Sequence, residues 1–320
     1  MPLSDAGPAS GGGPEMSGGF SNILQRVAVL KRPRDENGKM LHVSPPLISK
    51  CTFYRHSSPA SKPTPAHDRP RQSFPYNEQK PGEEGRTMDR YLRETPMLNY
   101  GSAPIQALIH ERNWSELPET ERVRAIYNFV RDEMLFGYNI DDNIPASHVL
   151  ADGFGQCNTK GTLFMALLRP CGIPCRVHGF MIDKKLQKGA MTGIVYRNAP
   201  QEILHSWVEI LLDGRWYELE GFILDKGYLG NLQAAHPECA GPFCGYGVAV
   251  KDFKHPPIDF DRIDTYIQSE GITRDLGIYD CPDDLLQEHG QAMSAIKAFA
   301  YRHLGQHLMN RNVKKIRNRT

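Results

Sequence analysis

The chain holds 320 residues, enough for one large domain or two modest ones. Hydrophobic residues make up 40%, charged residues 23% and aromatics 9%, which excludes a collagen, a coiled coil and a wholly disordered chain. Thirty-eight Lys plus Arg against 37 Asp plus Glu leave a net charge of +1, so no overall field steers the protein to nucleic acid or to an anionic membrane.

The first 15 residues hold neither a basic n-region nor an apolar h-region, and a cytoplasmic location is expected. Thirteen of the 24 prolines fall in the first 96 residues, with GGG and GG runs and the stretch SSPASKPTPAHDRPRQS. Such a composition buries too little apolar surface to order itself, so residues 1–88 are expected to be a mostly disordered tail and 89–320 the folded body. Within the tail, residues 26–30 and 47–54 have strand-like composition.

From Met97 the pattern turns globular. Leu117-Pro118 predicts a helix whose apolar positions Val123, Ile126, Tyr127, Val130 and Met134 repeat at three- and four-residue spacing. A second helix should open at Cys157, after Gly153-Phe-Gly-Gln156, and end at Pro170 and Gly172. Strands are expected at Arg176–Phe180, Ser206–Leu212 and Arg215–Leu219. A long helix should start at Cys281 and carry apolar residues as far as Leu308. Its basic end, Arg311 to Arg319, reads as a solvated helix terminus. The longest apolar run, Leu163 to Leu168, is far short of the roughly 20 residues that span a bilayer.

Seven cysteines, Cys51, Cys157, Cys171, Cys175, Cys239, Cys244 and Cys281, are an odd number without framework spacing and read as free thiols. Cys157 alone follows a Gly-rich turn at a predicted helix start, where a thiolate is favoured. A backbone N–H at that turn, with Gln156 as a neighbouring donor, suits an oxyanion hole. His205 lies at the start of a strand that turns at Asp213-Gly214, a two-residue hairpin signal. With Leu212 opposite Arg215, Glu218 faces Glu209, and His205 and Glu220 are diagonal neighbours on one sheet face. Glu220 is therefore the better acid to orient the imidazole.

Two motifs, Gly155-Gln-Cys157 with Ala166-Leu-Leu-Arg169, Gly172-Ile-Pro174 and Arg176, then His205-Ser-Trp207-Val-Glu209 with Trp216 and Glu220, resemble those of the transglutaminase-like superfamily of papain-like cysteine enzymes. Glu220 stands where that family has Asp, and Gly161 where it usually has Ala. The resemblance spans about residues 117–225. It implies an α+β fold, with a nucleophile-bearing helix packed on an antiparallel sheet and the long C-terminal helix added. By the same resemblance Cys157 is the nucleophile, His205 the general base and acid, and Glu220 the orienting acid. Acyl transfer or amide hydrolysis through a thioester is implied, on a peptide, a protein or a small amide or amine.

Trp207 packs in the core or lines an acyl channel beside the thiol. Asp141-Asp142 reads as a turn. No cofactor, metal, nucleic acid or membrane partner is expected, and calcium dependence is not carried over from the family. A four-thiolate zinc site from Cys171, Cys175, Cys239 and Cys244 is a lesser alternative, since the spacing departs from the usual knuckle. The alternative to an enzyme is a catalytically silent module that binds peptides or partners in an inherited cleft.

Overall fold

The computed structural model describes residues 88–290 and 304–318. The expected tail, apart from Met88, lies outside the described residues, as do its two strand-like segments and residues 291–303 of the expected C-terminal helix.

In chain order the elements are α1 Ala103–Glu111, α2 Glu119–Asn128, β1 Leu135–Phe136, α3 Ala146–Asp152, β2 Phe154–Gly155, α4 Cys157–Leu168, β3 Cys175–Asp183, α5 Gly193–Asn198, β4 Glu202–Leu212, β5 Arg215–Leu219, α6 Lys226–Ala235, β6 Phe243–Gly245, β7 Val248–Val250, β8 Ile272–Tyr279, α7 Pro282–His289 and α8 Gln306–Arg317. Four strands form an antiparallel sheet in the order β5-β4-β3-β8. The helix at 119–128 continues as a π-helical turn, Phe129–Glu133, which accounts for the expected apolar positions Val130 and Met134. Among the described residues, no helix is long and apolar enough to cross a membrane.

Helix α4 is the centre of the molecule: all twelve of its residues are buried, so its sequence shows little amphipathic contrast. It stops at the 3-10 turn Arg169–Cys171 and at Gly172, whose φ of 79° is left-handed. Arg169 then ties its end to the sheet, donating from Nη2 to the Cys175 carbonyl at 3.0 Å. Further along, Val208 of β4 packs beneath Gly161.

The opposite face of the sheet carries Arg176, His178 and Phe180 of β3 against Glu209, Trp207 and His205 of β4. Arg176 lies over the Trp216 ring at 3.8 Å and donates to Glu209 at 2.7 Å. His178 is held between Glu209 and Asp275 at 2.8 Å on each ring nitrogen. Burial would lower the His178 pKa, but these two carboxylates raise it. Three of the motif residues, Arg176, Glu209 and Trp216, thus serve the sheet.

The hairpin turn is as expected, with Asp213 and Gly214 at φ 48° and 74°. The C-terminal expectation needs correction. The helix opens after Cys281 but ends at His289, where Gly290 leaves helical geometry with ψ 124°. A separate helix, α8, follows at 306–317. It docks on the core by its own bonds, with Asn310 both accepting from the Tyr138 N–H and donating to the Tyr138 carbonyl.

Gly161 offers a direct check on α4. A Cβ there meets only Val208 at 3.5 Å and Phe222 at 3.8 Å, ordinary contact distances. Gly161→Ala should stabilise the protein by about 0.4–1 kcal/mol, because it removes freedom from the unfolded chain at no steric cost. Denaturant unfolding of the two proteins measures it.

Candidate active site

Cys157 is set by the turn that precedes it. Strand β2 pairs in parallel with β1 through Phe154 and Gly155, and Gln156 then caps α4. Gly155 is required here, since a Cβ would stand 2.7 Å from Thr159 Oγ1 and 2.9 Å from Lys160 Cγ. Thr159 Oγ1 accepts from the Gln156 N–H at 3.1 Å, closing the first turn. Cys157 is therefore the first residue of α4, where backbone N–H groups lack intrahelical acceptors and the helix dipole favours negative charge. It is 7% exposed, at the edge of the core.

The sheet brings His205 to it. Strand β5 pairs with β4 only as far as Leu219 opposite Val208. Beyond that point the Leu204 carbonyl accepts from Asn158 Nδ2 of α4 at 3.3 Å, so the start of α4 meets β4 where β5 has ended. His205 is fully buried there, with Nε2 2.7 Å from Glu220 Oε1. Among the described residues its buried Nδ1 has no partner at ordinary hydrogen-bond distance, and the Cys157 sulfur is near enough to act on the imidazole.

Burial works against a charged His205, but the Cys157 sulfur and the Glu220 carboxylate outweigh it and hold the pKa up to about 10. The folded value exceeds the unfolded value of about 6.5. The stabilisation is thus fully present below about pH 6.5 and is lost as pH rises through about 10.

Glu220 is held as firmly as it holds. Its Oε2 accepts from the Ile267 and Gln268 N–H groups at 2.7 and 2.8 Å. Its own N–H donates to the Thr265 carbonyl at 2.9 Å. These contacts come from residues 265–268, which carry no periodicity or motif and which the sequence reading missed. Glu218 points elsewhere, accepting from the Tyr266 hydroxyl.

The other predicted residues are placed differently. Gln156 Oε1 accepts from the Asn139 N–H at 2.8 Å, and its Nε2 donates to Asp142 at 2.8 Å. Asp142 is thus no mere turn residue: it grips the segment that carries Cys157. Trp207 lies in a small aromatic cluster with Phe180 and Tyr266, apart from the cluster that holds Cys157. Among the described residues its buried indole N–H has no acceptor.

Burial raises the thiol pKa of Cys171, Cys175, Cys244 and Cys281, the last to about 12. Among the described residues none of these has a histidine among the groups that shift it. Among the described residues no three His, Cys, Asp or Glu are gathered as metal ligands, so the two cysteine pairs do not make a four-thiolate site. Lys160 is fully buried, and desolvation lowers its pKa to about 7 while it donates to the Arg131 and Ile223 carbonyls. It anchors α4 rather than facing the thiol's partner.

Residues 108–221 match the model of the transglutaminase-like superfamily. The match supports a cysteine-based enzyme at the level of the family. Among solved structures, a "Putative Cysteine Protease" from Cytophaga hutchinsonii is 14% identical and covers 62% of this chain, with a TM-score of 0.36. The chain spans 48% of that protein. No curated protein matches.

The reach of Glu220 generates a prediction about the residue that replaces the family's Asp. Glu220→Gln keeps the shape but removes the charge that sustains the imidazolium, and alkylation of Cys157 at pH 6 should fall by about tenfold or more. Glu220→Asp should also lose rate, because the shorter side chain cannot span from His205 to the Ile267 and Gln268 amides. Iodoacetamide labelling with peptide mass spectrometry reads both.

Proposed function

We propose that the chain, a member of the transglutaminase-like superfamily through residues 108–221, is a thiol-dependent acyl-transfer enzyme acting on an amide or ester carbonyl. The observation that carries this reading is the order Cys157, His205, Glu220, with His205 bonded to Glu220 through Nε2 and its pKa raised by the Cys157 sulfur. A thiolate beside an imidazolium is the resting state that such chemistry needs.

The steps follow from the groups present. Cys157 Sγ attacks the carbonyl carbon, the C–S bond forms and the carbonyl electron pair moves to oxygen. The N–H of Cys157 and the second N–H of Gln156 Nε2 are the donors for that oxygen. The tetrahedral intermediate then collapses, and His205 gives its proton to the leaving amine or alkoxide. Glu220 keeps the ring oriented throughout. Neutral His205 next takes a proton from water or an incoming amine, which attacks the thioester and releases Cys157. Water completes hydrolysis and an amine completes transfer. Trp207 belongs to the support of His205 in this reading, packed on Phe180, whose ring lies 6.3 Å from the imidazole.

The expected mark of the silent binding module is a lost member of the triad, and only the exchange of Asp for Glu220 leans that way. With p-nitrophenyl acetate as acyl donor, an acetyl group should be trapped on Cys157 and on no other cysteine. His205→Ala should abolish it. Adding a primary amine should shift product from acetate toward the acetamide if transfer competes with water. Equal acetylation of several cysteines, or none at Cys157, would overturn the reading.

A further inference from the structure

Asp142 reaches both sequence neighbours of the nucleophile. Its Oδ1 accepts from Gln156 Nε2 at 2.8 Å, and its Oδ2 accepts from Asn158 Nδ2 at 3.0 Å. Each amide is pinned at its other end as well. Gln156 Oε1 accepts from the Asn139 N–H at 2.8 Å, and Asn158 Oδ1 accepts from the Ser206 hydroxyl at 2.9 Å.

The donor and acceptor pattern allows Gln156 one orientation. A backbone N–H only donates, so the Asn139 N–H fixes Gln156 Oε1 and a flipped amide would set N–H against N–H; Nε2 is left to donate to Asp142, whose pKa burial raises while the Asn158 and Gln156 donors lower it. Asn158, bonded also to the Leu204 carbonyl, registers the same clamp against β4. Asp142 thus reaches across from the loop before α3 and holds the Gln156–Cys157–Asn158 segment on both sides of the thiol.

We propose that Asp142 is a positioning residue for the oxyanion: it fixes the direction of the Gln156 amide and the setting of the Cys157 N–H, without acting on the thiolate. This rests on the acyl-transfer reading. Two reactions of Cys157 separate the roles. Attack on p-nitrophenyl acetate forms C–S, places the carbonyl electron pair on oxygen and then expels p-nitrophenolate with the bonding pair. Attack on iodoacetamide forms C–S and expels iodide, with no oxyanion. The first needs placed N–H donors; the second needs only the thiolate.

The test measures both rates against pH in wild type, Asp142→Asn, Asp142→Ala, Gln156→Ala and the double variant Asp142→Ala/Gln156→Ala, with a thermal melt of each. Asp142→Asn keeps the volume but turns an N–H toward one of the two amide donors. Acylation should fall about tenfold or more in both Asp142 variants, the scale of a misplaced oxyanion donor. The pH midpoint of alkylation should not move. The double variant should lose less than the sum of the two single losses in free energy, because Gln156 is one of the two amides through which Asp142 acts. Acylation that stays near the wild-type rate, a parallel loss in both reactions, or additive losses in the double variant would each overturn the proposal. Wild type releasing p-nitrophenolate no faster than Cys157→Ala overturns the acyl-transfer reading, and this one with it.

Discussion

A buried imidazole bonded to a buried carboxylate is the constraint around which this molecule is arranged. His205 and Glu220 are both fully buried, and removing such a pair from water costs several kcal/mol per ion. The cost is offset only where geometry is close and the remaining lone pairs are filled. Both conditions are met: the pair stands 2.7 Å apart, and the second Glu220 oxygen takes two backbone N–H groups. Removing His205 alone would leave a buried carboxylate without its partner, a change that typically costs about 3–5 kcal/mol.

That constraint explains features that otherwise look unrelated. Strand β5 ends at Leu219 so that Glu220 can turn under His205. Gly221 follows because a Cβ there would stand 2.7 Å from the Ile258 backbone and 2.6 Å from the Tyr127 hydroxyl. Thr265 stitches the departing chain, accepting on Oγ1 from the N–H groups of Glu220 and Gly221. On the far side, Phe180 and Trp207 fill the space beside the imidazole. The thiol end is prepared separately, by the Gly155 turn and the Asp142 clamp, and the two halves meet where α4 crosses the exposed end of the β4–β5 ladder.

Much of this was legible in the residues because it is local. Asp213-Gly214 sets a two-residue turn, and the register that follows puts Glu218 opposite Glu209, as observed. Cys157 at a helix start follows from Gly153-Phe-Gly-Gln. What stayed hidden depends on distant chain. Ile272–Tyr279 is an edge strand with mixed exposure, two register shifts and Gly277, so no alternation announces it. The amides of Ile267 and Gln268 serve Glu220 through backbone, which no side-chain pattern records. Asp142 read as a turn residue because its partners are brought by tertiary packing. The long C-terminal helix failed because an apolar repeat was carried across Gly290, where the backbone turns away.

The charge state of His205 tests the account most directly. Nitrogen NMR of the ring in histidine-labelled protein distinguishes imidazolium from either neutral tautomer. The account predicts imidazolium at neutral pH in wild type, persisting until the pH approaches about 10. It predicts a marked drop in that value in Cys157→Ala, where the sulfur is gone. A neutral His205 at pH 7 in wild type, or one whose titration ignores the loss of Cys157, would contradict it.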